Sequence, residues 1–433
     1  MFRDVHSAAA FMAAWMREQA LPLWAASGFD AEAGRFEEGL TFEREPRLQV
    51  PIRLLVQARQ IFVFAVAERR QWHVGSKELV ERAFAAMKRD YFRPDGRDGW
   101  AFSIARDGSV ADATRDLYAH AFVLLAVASY VQATGRQEGL GIARDTIAFL
   151  DREMTAPLGG GYLETLPARE GPRRQNPHMH LFEAMLALWE CSGDRQFLER
   201  SGQLFDLVLA RFFQDRQCVL LEYFDSALSP LSGADAIVEP GHHFEWCWLL
   251  RRYERASGDG RVGSIIERLY EHAGRAGFDA DGLLVDERHP DGTIAKASRR
   301  LWPMTEAIKS DLAEAWRGRM GSVERAMAST EALHLRFLDP APKGGWVDRL
   351  GPDGAPLGDF MPATSFYHLA GAIAFYWPQR LPVYPVAANR RLSQHDFWPP
   401  ITGEAGRTGV YVSTNNELPD RLQHAFTACE ALP

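Results

Sequence analysis

The chain has 433 residues, of which 46% are hydrophobic and 24% charged, and its formal net charge at pH 7 is −8. This composition is ordinary for a soluble globular protein, and the acidic balance argues against a nucleic-acid partner. The four cysteines show no CxxC spacing, and we identify no stretch that reaches the roughly 18 uncharged apolar residues of a membrane span. We therefore expect a cytoplasmic protein, a monomer or homodimer, that has neither a nucleic acid nor a membrane as partner.

A sixfold repeat organises the chain. Short segments that combine glycine or leucine with aromatic and acidic residues recur about every 62 residues. Several of them run into an Asp-Gly turn, and alternating residues around such a turn indicate a short β-hairpin. The segments begin at Gly34, Gly99, Gly160, Leu221, Gly282 and Gly345, and the Asp-Gly turns lie at Asp107-Gly108, Asp291-Gly292 and Asp353-Gly354.

Two helical segments follow each repeat segment. The first of each pair is richer in apolar and aromatic residues, which predicts an inner helix, whereas the second has an apolar stripe and a polar face, which predicts an outer helix. We place the inner helices at 51–69, 116–133, 177–193, 241–257, 303–317 and 363–377. The outer helices are expected at 76–90, 138–153, 197–213, 260–276 and 322–337, with an N-terminal helix at 6–26 closing the ring.

These pairs predict an all-α (α/α)6 barrel, or toroid, with short β-hairpins in the loops at one end. We expect residues 1–380 to form this single domain. Prolines interrupt the periodic pattern after that point, so residues 381–433 are predicted to be an irregular extension packed on the barrel. Because all inner helices run the same way, their positive dipole ends gather at one end of the ring, where they favour developing negative charge. We therefore expect the functional site at that end.

Histidines are frequent near the starts of the inner helices. His120, His180, His242 and His368 fall at roughly equivalent places in the repeats. Arg59 on the first inner helix and Trp302 on the fifth are expected beside them. A single histidine there is more often a packing residue, but apolar side chains would pack better than four histidines would. The pattern therefore indicates a shared site.

His242 follows the Pro240-Gly241 turn in the first turn of its helix, with Glu245 one turn further on. The helix dipole is expected to lower the pKa of His242 and to favour the neutral imidazole. Facing imidazoles with pKa values near 7 suit proton transfer at a carbon next to a carbonyl. An arginine beside them can stabilise the enediolate oxygen.

A bound metal is the rival explanation for a group of histidines. The one close pair on a helix is His178 and His180, and the sequence places no carboxylate-rich cluster beside it. The chain also has no Walker loop, no GxGxxG that opens a helix after a strand and no GxSxG. We expect neither a metal nor another cofactor.

Six motifs, in this order, resemble those of the N-acylglucosamine 2-epimerase superfamily, and in particular its mannose isomerase and sulfoquinovose isomerase branch. The resemblance covers about residues 10 to 380. It implies an (α/α)6 barrel and metal-independent chemistry at C1 and C2 of a reducing sugar. The motifs are Val56-Gln57-Ala58-Arg59, Asp116-Leu117-Tyr118-x-His120, Asn176-Pro177-x-Met179-His180-Leu181-x-Glu183, Pro240-Gly241-His242-x-Phe244-Glu245, Leu301-Trp302-Pro303-x-Thr305-Glu306 and Asp359-Phe360-Met361-Pro362-Ala363-Thr364-x-x-Tyr367-His368.

The resemblance also implies roles for single residues. His242 and His368 match the catalytic pair that moves a proton through a cis-enediol(ate), and Arg59 matches the arginine that binds the C1 and C2 oxygens. His180 matches a histidine that contacts the substrate and assists ring opening. Glu183 and Glu245 are expected to hold the histidines in one tautomer and rotamer. The other predicted substrate-binding residues are Tyr118, His120, Asn176, Trp302 and Glu306.

The leading function is a metal-independent aldose–ketose isomerase acting on a free hexose, of the D-mannose to D-fructose type. The alternative is a sugar 2-epimerase of the N-acylglucosamine or cellobiose type, which uses the same two histidines. A glycoside hydrolase would need two carboxylates roughly 5.5 Å or 6.5–9.5 Å apart, for which Glu183, Glu245 and Glu306 are available. A non-catalytic binder is less favoured, because residues that transfer protons gather at the site.

Overall fold

The computed structural model describes residues 2–376 and four short strands within residues 407–432. The chain divides into two compact units, Met1–Ala374 and Phe375–Pro433. Apart from those strands, the predicted extension at 381–433 lies outside the described residues, and its packing on the barrel stays a prediction.

Six helices form the inner layer of the first unit. They are buried on most sides, as their enrichment in apolar and aromatic residues predicts. Asp116 caps the second inner helix by accepting a hydrogen bond from the backbone of Ala119 at 2.8 Å, and Gly135 ends that helix in the left-handed conformation. The inner helices are α3 (Leu54–Arg69), α5 (Leu117–Thr134), α7 (Asn176–Ser192), α9 (Pro240–Ser257), α11 (Leu301–Trp316) and α13 (Ala363–Tyr376).

The outer layer packs against these helices. Each outer helix turns an apolar stripe inward, as the sequence pattern predicts, and four members of this layer contain a π-helical segment. They are α1 (Val5–Trp15) with Met16–Ala20 and α2 (Leu21–Ala26), α4 (Ser76–Tyr91), α6 (Gly139–Phe149) with Leu150–Met154, α8 (Arg195–Leu207) with Val208–Phe212, α10 (Val262–Ala276), and α12 (Ser322–Leu333) with His334–Leu338. The predicted (α/α)6 barrel is confirmed, with most helix ends within three residues of the expected positions.

Helix α5 is long and apolar enough, by composition alone, to cross a membrane. Its 18 residues include no Asp, Glu, Lys or Arg, so the expectation that no stretch reaches this length was wrong. Most of the helix is buried inside the barrel, which accounts for its apolar sequence.

Seventeen short strands and a 3₁₀ turn at Gly233–Asp235 lie in the loops of the first unit. The strands are β1 (Phe29–Asp30), β2 (Arg35–Phe36), β3 (Gly39–Thr41), β4 (Ile52–Arg53), β5 (Ser103–Ile104), β6 (Val110–Asp112), β7 (Arg115–Asp116), β8 (Thr165–Leu166), β9 (Arg173–Arg174), β10 (Phe213–Gln214), β11 (Val219–Leu220), β12 (Tyr223–Phe224), β13 (Glu287–Arg288), β14 (Ile294–Lys296), β15 (Arg299–Arg300), β16 (Arg349–Leu350) and β17 (Phe360–Pro362).

Pairing between neighbouring repeats forms a ring around the starts of the inner helices. A strand that precedes one inner helix pairs with the segment that precedes the next: β4 with β5, β7 with β8, β9 with β12, and β15 with β16. A single bridge between Val238 and Arg288 takes this place between the fourth and fifth repeats. Strand β17 pairs with β3, so the sixth repeat joins the first. The predicted hairpins form at Asp107-Gly108 and Asp291-Gly292, whereas the third turn leads only to a bridge between Leu350 and Pro356.

Five inner helices each have, near their start, a side chain that accepts a hydrogen bond from a backbone amide in the segment before the helix. The ring nitrogen Nε2 of His120 accepts a hydrogen bond from the Trp100 amide at 3.1 Å, and its Nδ1 lies 2.7 Å from the carbonyl oxygen of Asp116. His178, His243 and Met304 accept in the same way from the amides of Tyr162, Leu220 and Leu284, and Gln57 accepts from Phe36. These contacts fix the ring of strands to the inner helices.

Parallel pairs are found in the described part of the second unit. Strand β18 (Arg407–Thr408) pairs with β20 (Phe426–Ala428), and β19 (Tyr411–Val412) pairs with β21 (Ala431–Leu432).

Candidate active site

Two histidines from different repeats meet one tryptophan at the ring of strands. The ring of Trp302, on the first turn of α11, lies 4.8 Å from the His242 ring and 5.5 Å from the His368 ring, measured between centroids. His242 comes from α9 and His368 from α13, the helices on either side of α11. Both histidines are about 4% exposed. The predicted catalytic pair therefore borders one indole ring, in one buried cluster.

His368 is held by a carboxylate on the neighbouring helix. Its Nδ1 lies 2.8 Å from Oε1 of Glu306, and Oε2 of Glu306 accepts hydrogen bonds from Lys309 at 2.6 Å and from the Trp248 indole at 2.8 Å. Burial lowers the pKa of His368 well below that of an ordinary histidine, and the charges of Arg59 and Lys309 lower it further. His368 is therefore neutral at pH 7. With Nδ1 donating to Glu306, its Nε2 is the atom that can take up a proton.

His242 has the opposite charge state. Its Nδ1 lies 3.0 Å from Oε1 of Glu222 and 3.8 Å from Oε2 of Glu239. Burial alone would lower the pKa of His242, but these two carboxylates outweigh it and raise the pKa to about 9. The expectation of a neutral imidazole here was wrong, because charges a few ångströms away act more strongly than the helix dipole does.

Arg59 lies against the same cluster from α3. It donates to the hydroxyl of Tyr118 at 2.7 Å and to the carbonyl of Thr364 at 3.1 Å, and its guanidinium lies over the Phe122 ring. Its Nε is buried without a hydrogen-bond partner in the described part of the chain. Among residues 2–376, no carboxylate forms a salt bridge with Arg59.

His180 extends the cluster towards Arg59. Its ring lies 5.1 Å from the Tyr118 ring, and its Nδ1 is 3.1 Å from Oε2 of Glu183. The hydroxyl of Tyr367 donates to Glu183 at 2.6 Å. Burial lowers the pKa of His180 to about 4, despite the contact with Glu183, so this ring is also neutral. Glu183 thus holds His180, as predicted.

Glu245 does not have the partner that we predicted. It is fully buried, neither carboxyl oxygen has a hydrogen-bond partner, and the nearest ring nitrogen is Nε2 of His180 at 3.9 Å. Burial raises the pKa of Glu245 well above the usual range, and the neighbouring charge of Glu306 raises it further. Glu245 is therefore harder to ionise than an ordinary glutamate.

Two other predicted residues differ in their surroundings. Asn176 begins α7, and its Oδ1 is buried without a partner, as expected of a group that awaits a ligand. Both nitrogens of His120 contact backbone atoms, and its ring stacks on Phe149 of the outer helix α6. His120 therefore binds a backbone amide, as His178 and His243 do. It is not grouped with His180, His242 and His368, and we do not place it against a substrate.

Sequence reasoning missed four residues of the cluster: Glu222, Glu239, Lys309 and Tyr367. A signal for Glu222 was present in the repeat. An acidic residue lies two positions after the backbone amide held by the inner helix in the first, third, fourth and fifth repeats, at Glu38, Glu164, Glu222 and Asp286. Only a folded chain shows which of these carboxylates meets a histidine.

Three buried groups in this cluster have the composition of a metal site, with ligand atoms within 4.8 Å of one another. The expectation that no carboxylate-rich cluster accompanies the histidines was therefore wrong. Lys309 and Arg300 already form ion pairs with two of the carboxylates, which reduces the charge available to a cation. The groups are His180 with Glu183 and Glu245, Glu222 with Glu239 and His242, and Glu245 with Glu306 and His368.

The barrel brings histidines, carboxylates and an arginine together in one buried cluster. The family model of N-acylglucosamine 2-epimerase (GlcNAc 2-epimerase) matches residues 36–372, and the chain belongs to this family. It is an isomerase of carbohydrates, as its relatives are, and a small-molecule sugar is its substrate.

Two relatives and one solved structure illustrate the similarity. The mannose-6-phosphate isomerase of Rhizobium meliloti (strain 1021) is 36% identical over 382 residues, which cover 86% of this chain and 97% of the relative. The D-mannose isomerase of Thermobifida fusca is 28% identical, over 73% of this chain and 80% of the relative. The cellobiose 2-epimerase from Spirochaeta thermophila DSM 6192 has the same fold, with a TM-score of 0.75 at 24% identity, over 86% of this chain and 96% of that one.

Proposed function

We propose that the protein interconverts D-mannose and D-fructose, without a metal, at the cluster around Trp302. The observation that supports this best is the split charge state of the two histidines, neutral at His368 and protonated at His242. Two groups whose surroundings push their pKa values apart provide a base and an acid at the same pH.

His368 takes the role of the base in this proposal. Its Nε2 removes the proton from C2 of the open-chain aldose, which gives a cis-enediol(ate), and returns that proton to C1. The hydroxyl proton of C2 leaves as the carbonyl forms there, and the former carbonyl oxygen at C1 gains one. His242 supplies and recovers these oxygen-bound protons. Arg59 binds the oxygens on C1 and C2.

The relatives favour isomerisation over epimerisation. Those named as isomerases are 36%, 28% and 27% identical, whereas the cellobiose 2-epimerases are 20–24% identical. Two of the three carboxylates that the glycoside hydrolase alternative could use, Glu183 and Glu306, are instead bonded to His180 and His368.

A free hexose is favoured over a hexose phosphate. The relatives bear both names, so the choice depends on the cations around the cluster. Arg300 is paired with Glu239 and Asp286, and Lys309 with Glu306. Within residues 2–376, this leaves Arg59 as the cluster's cation without a carboxylate partner, and the proposed reaction uses it at C1 and C2. A phosphate group on C6 would need a second cation without a carboxylate partner to bind it.

Proton NMR of the products in heavy water tests the proposal. The enzyme is incubated separately with D-mannose and with D-mannose 6-phosphate. We expect fructose from D-mannose and a much lower rate with the phosphate. Glucose as the sole product would replace the isomerase with a 2-epimerase. Turnover of the phosphate alone would keep the reaction and change the substrate.

A further inference from the structure

A buried relay lies behind His242 and connects the third repeat with the fourth. The indole nitrogen of Trp246, on α9, donates to Oε1 of Gln175 at 2.7 Å. The amide nitrogen of Gln175 then donates to Oε2 of Glu222 at 2.9 Å. The other oxygen of Glu222 lies 3.0 Å from Nδ1 of His242. None of these four side chains is more than about 4% exposed, so the carboxylate is fixed in place away from solvent.

Glu222 differs from the acids at the same position in other repeats. Glu38, Glu164 and Asp286 each bind an arginine that lies one or two residues before an inner helix: Arg53, Arg174 and Arg300 respectively. Before α9 this place is taken by Glu239, which is itself acidic. Glu222 therefore has no arginine to bind, and it faces His242 instead.

Glu239 is less able to serve the histidine. Arg300 donates to its Oε2 at 2.7 Å, and the same oxygen lies 3.8 Å from the His242 ring. In Glu222, by contrast, the oxygen nearest His242 lies 3.0 Å from Nδ1 and has no hydrogen-bond partner among the described residues. Of the two carboxylates, Glu222 is closer to His242 and is not shared with an arginine.

We propose that Glu222 is a positioning residue that, through Nδ1, holds His242 as an imidazolium with its Nε2 edge turned to the sugar. This inference rests on the proposed function and adds to it the group that makes His242 an acid. Glu222 touches neither substrate nor reacting atoms. Glu222 acts through His242. Gln175, which is itself held by Trp246, keeps the Glu222 carboxylate in position.

The charged and titratable groups that face His242 support this assignment. Glu222 lies beside it from the segment between β11 and β12, and Glu239 from the start of its own helix, with Arg300 of β15 behind Glu239. Glu245 on α9 and His180 on α7 interact with it over a longer range. Burial opposes the positive charge, and the carboxylates outweigh burial to raise the pKa of His242 to about 9.

NMR titration of the imidazole ring protons tests the charge without any need for turnover. The His242 signal is assigned by its loss in His242→Asn. In Glu222→Gln, which has nearly the same shape, we expect the pKa of His242 to fall by about 1 to 3 because one close opposite charge is gone. Glu222→Asp keeps the charge and should keep most of the rise. Glu38→Gln, the same position on the first repeat, should leave the His242 titration unchanged.

Kinetics on D-mannose give the second readout. We expect kcat of Glu222→Gln to fall about 100-fold at pH 8 with little change in KM, and the loss to shrink at lower pH, where His242 regains its proton. Glu222→Asp should recover much of kcat. A uniform loss at every pH that Glu222→Asp does not relieve would overturn the proposal.

The two inferences can fail separately. If the wild type does not isomerise D-mannose but Glu222→Gln lowers the pKa of His242, the proposed function fails and the role of Glu222 stands. If the wild type makes fructose and the titration of His242 is the same in wild type and Glu222→Gln, the role of Glu222 is wrong and the function stands.

Discussion

At the scale of single residues, neighbours decide what each histidine does. His242 and His243 are adjacent in sequence, yet Glu222 raises the pKa of the first to about 9 while burial lowers that of the second to about 3. His178 and His180 likewise differ, since one holds a backbone amide and the other faces Glu183. Consecutive positions on a helix point roughly 100° apart, so neighbouring rings enter different surroundings.

Replacing His368 tests the base. His368→Asn removes the proton acceptor while keeping a polar side chain, so we expect kcat on D-mannose to fall by about 10³-fold or more. The matched control is His178→Gln, because Gln57 performs the same backbone-holding task in the first repeat. This control should keep a kcat near that of the wild type. Equal losses in both variants would remove His368 from the mechanism.

Removing metal ions tests whether any of the three buried groups of histidine and glutamate side chains binds a metal. Prolonged treatment with EDTA, followed by metal analysis of the protein, should leave kcat unchanged, because Lys309 and Arg300 already balance carboxylates in these groups. A loss of activity that Zn²⁺ or Mn²⁺ restores would instead make one of these groups a functional metal site.

At the scale of the elements, close packing between α9 and α11 sets the geometry of the pair. A Cβ atom on Gly241, in the first turn of α9, would lie 2.7 Å from the Trp302 ring. That is too short for carbon atoms, so the absence of a side chain lets Trp302 reach both histidines. Gly241, next to His242, thus contributes to the site by leaving room for the Trp302 ring.

Gly241→Ala tests this close approach. The added methyl group should displace Trp302 and lower kcat/KM by about 10²-fold, although no chemical group of the site is lost. Gly274→Ala on α10 is the control, since nothing lies within 4 Å of the methyl group it would add. If both variants behave like the wild type, the position of Trp302 does not matter for the reaction.

At the scale of the whole first unit, several buried neutral histidines make stability depend on pH. Burial lowers the pKa of His120, His178 and His180 to about 4 and that of His243 to about 3, whereas an unfolded histidine titrates near 6.5. Between these values the unfolded chain binds more protons than the folded one. The stability that these histidines contribute is therefore complete above about pH 6.5 and is lost as the pH falls towards 4.

Urea unfolding at pH 5.0, 5.5 and 6.5 measures this dependence. Each such histidine contributes a slope of up to about 1.4 kcal/mol per pH unit. His120→Gln should make the slope shallower by about that amount, because glutamine accepts the Trp100 amide and does not titrate in this range. A slope that is the same in wild type and variant would show that His120 is not buried in its neutral form. His242 acts in the other direction, since its raised pKa is expected to cost stability as the pH rises from about 6.5 through 9.

The repeats, the inner and outer helices and the cluster around His242 and His368 could be predicted, because hydrophobic periodicity and helix starts are local properties of the sequence. The carboxylate partners could not. Glu222 and His242 are 20 positions apart, and they meet because the Leu220 amide donates to His243 and the Glu222 amide donates to the carbonyl of Ile237, just before α9. The separation of His120 from the substrate cluster depends in the same way on which direction each side chain takes from its helix.

Strand β3 is complete at residue 41, but its partner β17 begins at residue 360, about 320 residues later in the chain. A ribosome therefore exposes the first repeat long before β3 has its partner strand. An open array of repeats gains stability with each added unit. In this ring, by contrast, Gly39–Thr41 lacks its partner strand until the last repeat has been synthesised. His368 emerges with that same unit, so a nascent chain acquires its proposed base and its last seam together.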